Sequence, residues 1–172
     1  VTWKNLKAAF NNQAYQLDGK LSDFTKPFIE TTLASENLTL KTNLNISEGM
    51  LNVISLNGQY FDVAFDAAGT AELKENPFLN LEAGIAGDLK DLTKVIPALK
   101  EKLEPLNLTG LYKLKGSLQG NLKDWKNWQL VLNAASPVFS VNGYHLNELS
   151  LTLNQDKQGT NQCSLTSGIY GG

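Results

Sequence analysis

Apolar residues recur at every second position through most of this chain. Leu6, Ala8 and Phe10 are spaced by two, as are Tyr15, Leu17, Gly19 and Leu21, and Leu38, Leu40, Thr42, Leu44 and Ile46. The same spacing runs through Phe61, Val63, Phe65 and Ala67, then Leu79, Leu81, Ala83 and Ile85, and later Tyr112 to Leu122, Leu130 to Ala134 and Leu149 to Leu153. Asn, Lys, Glu and Thr fill most places between. Successive strand side chains point to opposite faces, so this pattern predicts roughly a dozen strands of about 6 to 10 residues, one face apolar and the other wet. Turn residues separate them at Asn11-Asn12, Glu48-Gly49, Asn57-Gly58, Ala68-Gly69, Asn142-Gly143 and Asp156 to Gly159. Short turns join antiparallel neighbours, which predicts a meander.

One segment changes period. Leu92, Val95, Ile96, Leu99 and Leu103 make one stripe of a helix, with Asp88 or Asp91 placed to cap its start and Lys100 and Lys102 near its end. Pro97 falls inside the stripe. An interior proline costs a helix about 3 kcal/mol, so the helical insertion at about 89–104 is expected to kink or split near Pro97 and to stop at Pro105.

A degenerate repeat of about 50 residues lies under the alternation. Gly19, Gly69 and Gly120 fall in step; Pro27-Phe28 matches Pro77-Phe78; and the triplets Ile29/Thr31/Leu33, Leu79/Leu81/Ala83 and Leu130/Leu132/Ala134 coincide. The expected units are about 15–65, 66–113 and 114–172. The chain starts at Val1 and stops at Tyr170-Gly171-Gly172 within an expected strand and turn, so the expectation is one β-repeat segment of a longer protein.

Composition narrows the function classes. The 172 residues carry a net charge of −2 and include 29 Leu and 18 Asn, no Arg, and single His, Cys and Met residues. Without guanidinium forks, and with 15 Lys against 17 acids, nucleic acid is not expected as a partner. One His and one Cys are too few for a His/Cys zinc site, and Ser/His or Cys/His catalysis would have to pass through His145, which has neither nucleophile nor carboxylate nearby in sequence. His145 reads as a polar residue on a wet strand face, and Cys163 as a small packed hydrophobe. Asp62 and Asp66 alternate with Phe61, Val63 and Phe65 and read, like Glu72 and Glu75, as solvated carboxylates. No enzyme, metal or cofactor is expected. A lone Cys leaves the redox compartment open.

The remaining signal is the apolar face, which exceeds what one short helix can cover. A β-sandwich would bury it against a second sheet, and periodicity alone points that way. The alternative is a sheet curled into a trough.

Leu17-Asp18-Gly19-Lys20-Leu21-Ser22-Asp23-Phe24, followed by Lys26-Pro27-Phe28-Ile29, resembles the repeats of the AsmA-like superfamily, the AsmA/TamB-type bridge-like lipid-transfer proteins of bacteria. So do the stretch from Leu114 to Trp125, with Gly116, Gly120 and Asp124, and the terminal Ile169-Tyr170-Gly171-Gly172. The Leu-rich helix before Leu108-Thr109-Gly110 matches the helical insertion that such proteins often carry. The resemblance covers most of residues 15–172. The middle unit departs from it, with Leu73-Lys74 where the outer units have Asp and an aromatic, and the first unit lacks the helix.

Membership would imply a mainly β fold, a long antiparallel meander curled into a taco-like or U-shaped sheet with an apolar concave face. It would place the chain in the periplasm of a diderm bacterium, anchored to the inner membrane by a helix outside these residues. There it would bind acyl chains of phospholipid or another lipid and support phospholipid transport to the outer membrane. On this reading the groove is lined by Leu17, Leu21, Leu33, Leu38, Leu40 and Leu44, then by Phe61, Val63, Phe65, Leu79 and Leu81, and further along by Leu114, Leu118, Leu130, Leu132, Leu151 and Leu153. The alternative function is a chaperone-like module that assists outer-membrane proteins, its assembly partners, by β-strand pairing.

Overall fold

The computed structural model describes residues 1–10, 12–95 and 97–169. Eleven strands follow one another in chain order: β1 (Thr2–Phe10), β2 (Gln13–Ser22), β3 (Phe28–Ala34), β4 (Leu38–Ser47), β5 (Met50–Tyr60), β6 (Val63–Glu72), β7 (Phe78–Asp88), β8 (Thr109–Asn121), β9 (Gln129–Val141), β10 (Tyr144–Gln155) and β11 (Asn161–Ile169). Each is hydrogen-bonded only to its sequence neighbours, antiparallel throughout, and the sheet stays open with β1 and β11 at its edges.

The sandwich suggested by periodicity is not formed. Among the described residues only Val63 and Tyr112 are buried hydrophobics, at 2% and 8% exposure. The accessible surface is 11685 Å², against roughly 8,300 Å² for a compact monomer of this mass. Among the described residues no second sheet lies on the first.

Leu89–Val95 forms α1, Pro97–Leu99 a 3-10 turn, Lys100–Leu103 the short α2 and Glu104–Leu106 a second 3-10 turn. The insertion is thus split at Pro97, as a proline without an amide donor requires. Ile96, one member of the expected stripe, lies outside the described residues, as does Asn11 of the expected Asn11-Asn12 turn. Asp88, and not Asp91, caps the start: its Oδ1 accepts the Lys90 amide at 3.0 Å. α1 packs against β6, β7 and β8.

Two expected turns need correction. Asn57-Gly58 and Ala68-Gly69 are not turns but lie inside β5 and β6. The actual β5–β6 turn is Phe61-Asp62, with Phe61 at φ 50 beside Tyr60, their ring centroids 4.7 Å apart. Gly58 is needed within the strand because the Phe65 ring fills the place of its side chain. Glu48-Gly49 and Asn142-Gly143 do form turns, both residues of each at positive φ, which suits tight hairpins.

Within the repeat, the β2–β3 and β6–β7 connections share one form. Gly19 faces Thr31, and Gly69 faces Leu81. At the end of each connection the Pro carbonyl accepts an amide from further along the chain, Pro27 from Ile46 of β4 and Pro77 from Leu122 just past β8. The β8–β9 connection is longer and places Leu132 opposite Gly116 rather than Gly120.

Candidate functional site

The site follows from register. Residues directly opposite in a ladder share a face. Leu6 stands opposite Leu17, Leu17 opposite Leu33, Leu33 opposite Leu40, and Leu40 opposite Gly58, which the Phe65 ring covers. Phe65 then faces Ile85, Ile85 faces Leu114, Leu114 faces Ala134, Ala134 faces Leu151, and Leu151 faces Leu165. One apolar row therefore crosses all eleven strands, about 48 Å at the usual interstrand spacing. None of these side chains is buried; all are half-buried or exposed.

Two further rows lie on the same face. Leu21, Ile29, Leu44, Val53, Gly69, Leu81, Leu118 and Leu130 form one, in paired register from β2 to β9. The other runs from Trp3 through Gly19, Thr31, Thr42, Leu56, Ala67, Ala83, Gly116, Leu132 and Leu153 to Cys163. Its two threonines hydrogen-bond to each other, so they present no free hydroxyl pair. Leu79, opposite Ala71 and Gly120, extends the face toward the proline-bearing turns.

The reverse face is polar in equally strict register. Asp18, Thr32, Lys41, Asn57, Asp66, Gly84, Lys115, Asn133, Thr152 and Ser164 form its matching row. Neighbours there bond across strands, as Thr152 to Asn133 at 3.1 Å. The sheet thus separates oil from water.

Of the seventeen residues expected to line a groove, fifteen stand on this apolar face within reach of solvent. Leu38 is among them, two residues from Leu40 at the end of β4 and opposite Tyr60. Val63 faces the same way but is buried. Phe61 is displaced: it belongs to a turn and borders a hollow at the hairpin tips with Glu36, Asn37 and Asp62. Asp62 is accordingly in that turn rather than on a strand face, while Asp66 is on the polar face.

Sequence reasoning missed Val53 and Leu56 as partners on the face. They are three residues apart, which in a regular strand puts them on opposite sides. A bulge at Ile54 restores them, since Leu44 faces Val53 while Asn43 faces Ser55. Ile54 itself is 50% exposed.

α1 covers part of the face. At Gly87, just before it, a β-carbon would stand 3.2 Å from Val63 and 3.3 Å from the Tyr112 hydroxyl, so a side chain there needs these neighbours to give way by a few tenths of an ångström. Asp91 is 2% exposed and accepts a hydrogen bond from Lys94 Nζ at 2.6 Å. That bond, with attraction from Asp91 and Asp62, raises the Lys94 pKa. The Tyr112 hydroxyl is buried without a hydrogen-bond partner. Burial, followed by the Asp91 charge, pushes its pKa up.

Two hollows indent the face. One of about 200 Å³ lies over Ala83 and Gly116, walled by Leu81, Ile85, Leu118 and Leu130. The other, about 250 Å³, lies over Ala134 between Leu114 and Leu151, with Leu89 and Leu92 of α1 on its border.

His145 is exposed on β10 opposite Ser140. Cys163 is free and exposed on the edge strand, so the expected packing is not seen among the described residues. Among the described residues no cluster of three or more His, Cys, Asp or Glu side chains is placed to hold a metal, and no helix is long and apolar enough to cross a membrane. Comparison with family models, with curated proteins and with solved structures returns no match.

Proposed function

We propose that the apolar face binds lipid acyl chains, and that the chain is part of an AsmA-like periplasmic protein supporting phospholipid transport to the outer membrane. The observation that carries this reading is the apolar row from Leu6 to Leu165, which no second sheet covers among the described residues, joined by parallel rows and backed by a polar face. A surface of this extent, left open on one sheet, needs an apolar partner in water. Each methylene it removes from water contributes about 0.8 kcal/mol, so a chain is held without a charged anchor. The periplasmic setting rests on the motifs around Asp18-Gly19 and Lys115-Gly116.

The test is retention of lipid. Purified protein is passed over vesicles of phosphatidylethanolamine and phosphatidylglycerol carrying a fluorescent acyl chain, separated by size and extracted with organic solvent. Stoichiometric phospholipid with the protein fraction is expected. Protein free of lipid and of fluorescence overturns the reading.

A second reading draws on the edges. β11 is exposed along its described length, and an unpaired strand edge is a template for β-augmentation. On that reading the chain assists outer-membrane proteins by strand pairing. Photocrosslinkers along β11 that capture polypeptide favour it; capture of lipid alone rejects it.

A further inference from the structure

We propose that the hollow over Ala134 is a receptor for the methyl end of a single acyl chain, bordered by Leu89 and Leu92 of α1, so that a chain lying along the apolar row has a fixed terminus. The inference rests on the acyl-chain reading above and specifies where along the face a chain stops.

The row itself creates the hollow. From Leu6 to Leu165 its members are large, except at Gly58 and Ala134. Gly58 leaves no space because the Phe65 ring occupies it. Nothing in the described structure occupies the place over Ala134, between Leu114 and Leu151, and a cavity of about 250 Å³ remains. That volume exceeds the roughly 150 Å³ of an apolar cavity that takes up benzene, and falls short of the 300 Å³ or more typical of a site enclosing a whole small ligand. It suits the end of one chain.

The lining selects hydrocarbon. Leu89, Leu92, Phe139 and Leu149 complete the walls. Phe139 lies five residues from Ala134, an odd spacing that opposes faces in a regular strand. The irregularity between β8 and β9 at Gly110–Lys113 turns it inward, and leaves Val138 54% exposed. Ser136, the one hydroxyl of the wall beside Tyr112, is already engaged with the carbonyls of Leu111 at 2.6 Å and Val138 at 3.0 Å. Tyr112 forms wall while its hydroxyl lies near Gly87. No charged side chain lines the hollow and its one unpartnered hydroxyl, that of Tyr112, is buried, so the polar end of the lipid must lie elsewhere.

The hollow is also open toward one side. Leu165 lines it from the edge strand and is 65% exposed. A chain therefore enters along the row rather than through α1.

The test uses a C16 fatty acid with a diazirine on its terminal carbon, irradiated with the purified protein, and the adducts mapped by mass spectrometry. Adducts are expected to concentrate on the segments carrying Leu89, Leu92, Leu149 and Leu151. Ala134→Phe, which fills the hollow, is expected to cut them at least about fivefold while adducts on β2 to β6 stay within about twofold; Ala134→Leu, a smaller filler, gives an intermediate loss if the ring distorts the sheet. Circular dichroism verifies that both variants fold. Adducts spread evenly along the row, or undiminished in both variants, overturn this inference and leave acyl binding standing. No adduct anywhere overturns both.

Discussion

Trp3 on β1 stands directly opposite Gly19 on β2, and its indole occupies the space that a Gly19 side chain would need. The same device recurs where the Trp128 indole lies over Gly120, there with its N–H bonded to the Asn121 carbonyl at 2.6 Å. In each case a ring covers bare backbone on the apolar face. Gly19→Val is therefore expected to evict the Trp3 ring and loosen the edge strand, costing about 1–3 kcal/mol. Chemical denaturation with tryptophan emission measures it; an unchanged midpoint and spectrum contradict the packing.

Alkaline pH should weaken the attachment of α1. Tyr112 has a raised pKa through burial and the neighbouring Asp91 charge, and Lys94 a raised one through its bond to Asp91. A group whose folded value is raised contributes fully below its unfolded value and loses that contribution as pH climbs through the folded one. Stability is thus expected to decline from about pH 10 upward. Tyr112→Phe removes the tyrosine part of that slope. Because the hydroxyl has no partner, the variant at pH 7 is expected to be neutral or to gain up to about 1 kcal/mol. A marked loss at neutral pH would show that the hydroxyl is bonded.

Charge on the apolar face should cost binding rather than folding. Leu81 and Leu130 are only half-buried, on the row shared by Leu118. Leu81→Asp or Leu130→Lys leaves the new charge in reach of water, so far-ultraviolet dichroism is expected to persist while retained acyl chain falls about tenfold or more. Unfolding of both variants would reveal a closed core in place of an open face.

The β11 edge carries a free Cys163 and an exposed Leu165 with unpaired backbone beyond them. Self-association that rises with concentration is expected, together with disulfide-linked dimers under mild oxidation. Leu165→Lys should reduce the first and Cys163→Ser abolish the second. Sedimentation and non-reducing electrophoresis read the two effects separately.

Alternation exposed the strands because a single-layer sheet obeys period two wherever one side is dry. It failed where geometry departs from that period. Ile54 shifts β5 by one residue, hiding the link between Val53 and Leu56. Asn57-Gly58 has turn chemistry, yet its glycine serves the Phe65 ring, and the true turn uses Phe61, a residue with no turn signature, at φ 50. Choice between one layer and two was not readable at all, since Leu81 or Leu132 alternates identically whether a second sheet faces it or not. The placing of Leu89 and Leu92 at the border of the hollow over Ala134 depends on how α1 folds back, which no spacing encodes.

Strict pairing between sequence neighbours makes this sheet extensible. Among the described residues the first strand does not pair with the last, so each added or deleted hairpin changes the end-to-end span by two interstrand steps, roughly 10 Å, and leaves the cross-section intact. Evolution can lengthen such a surface by duplicating a pair of strands, without redesigning any core.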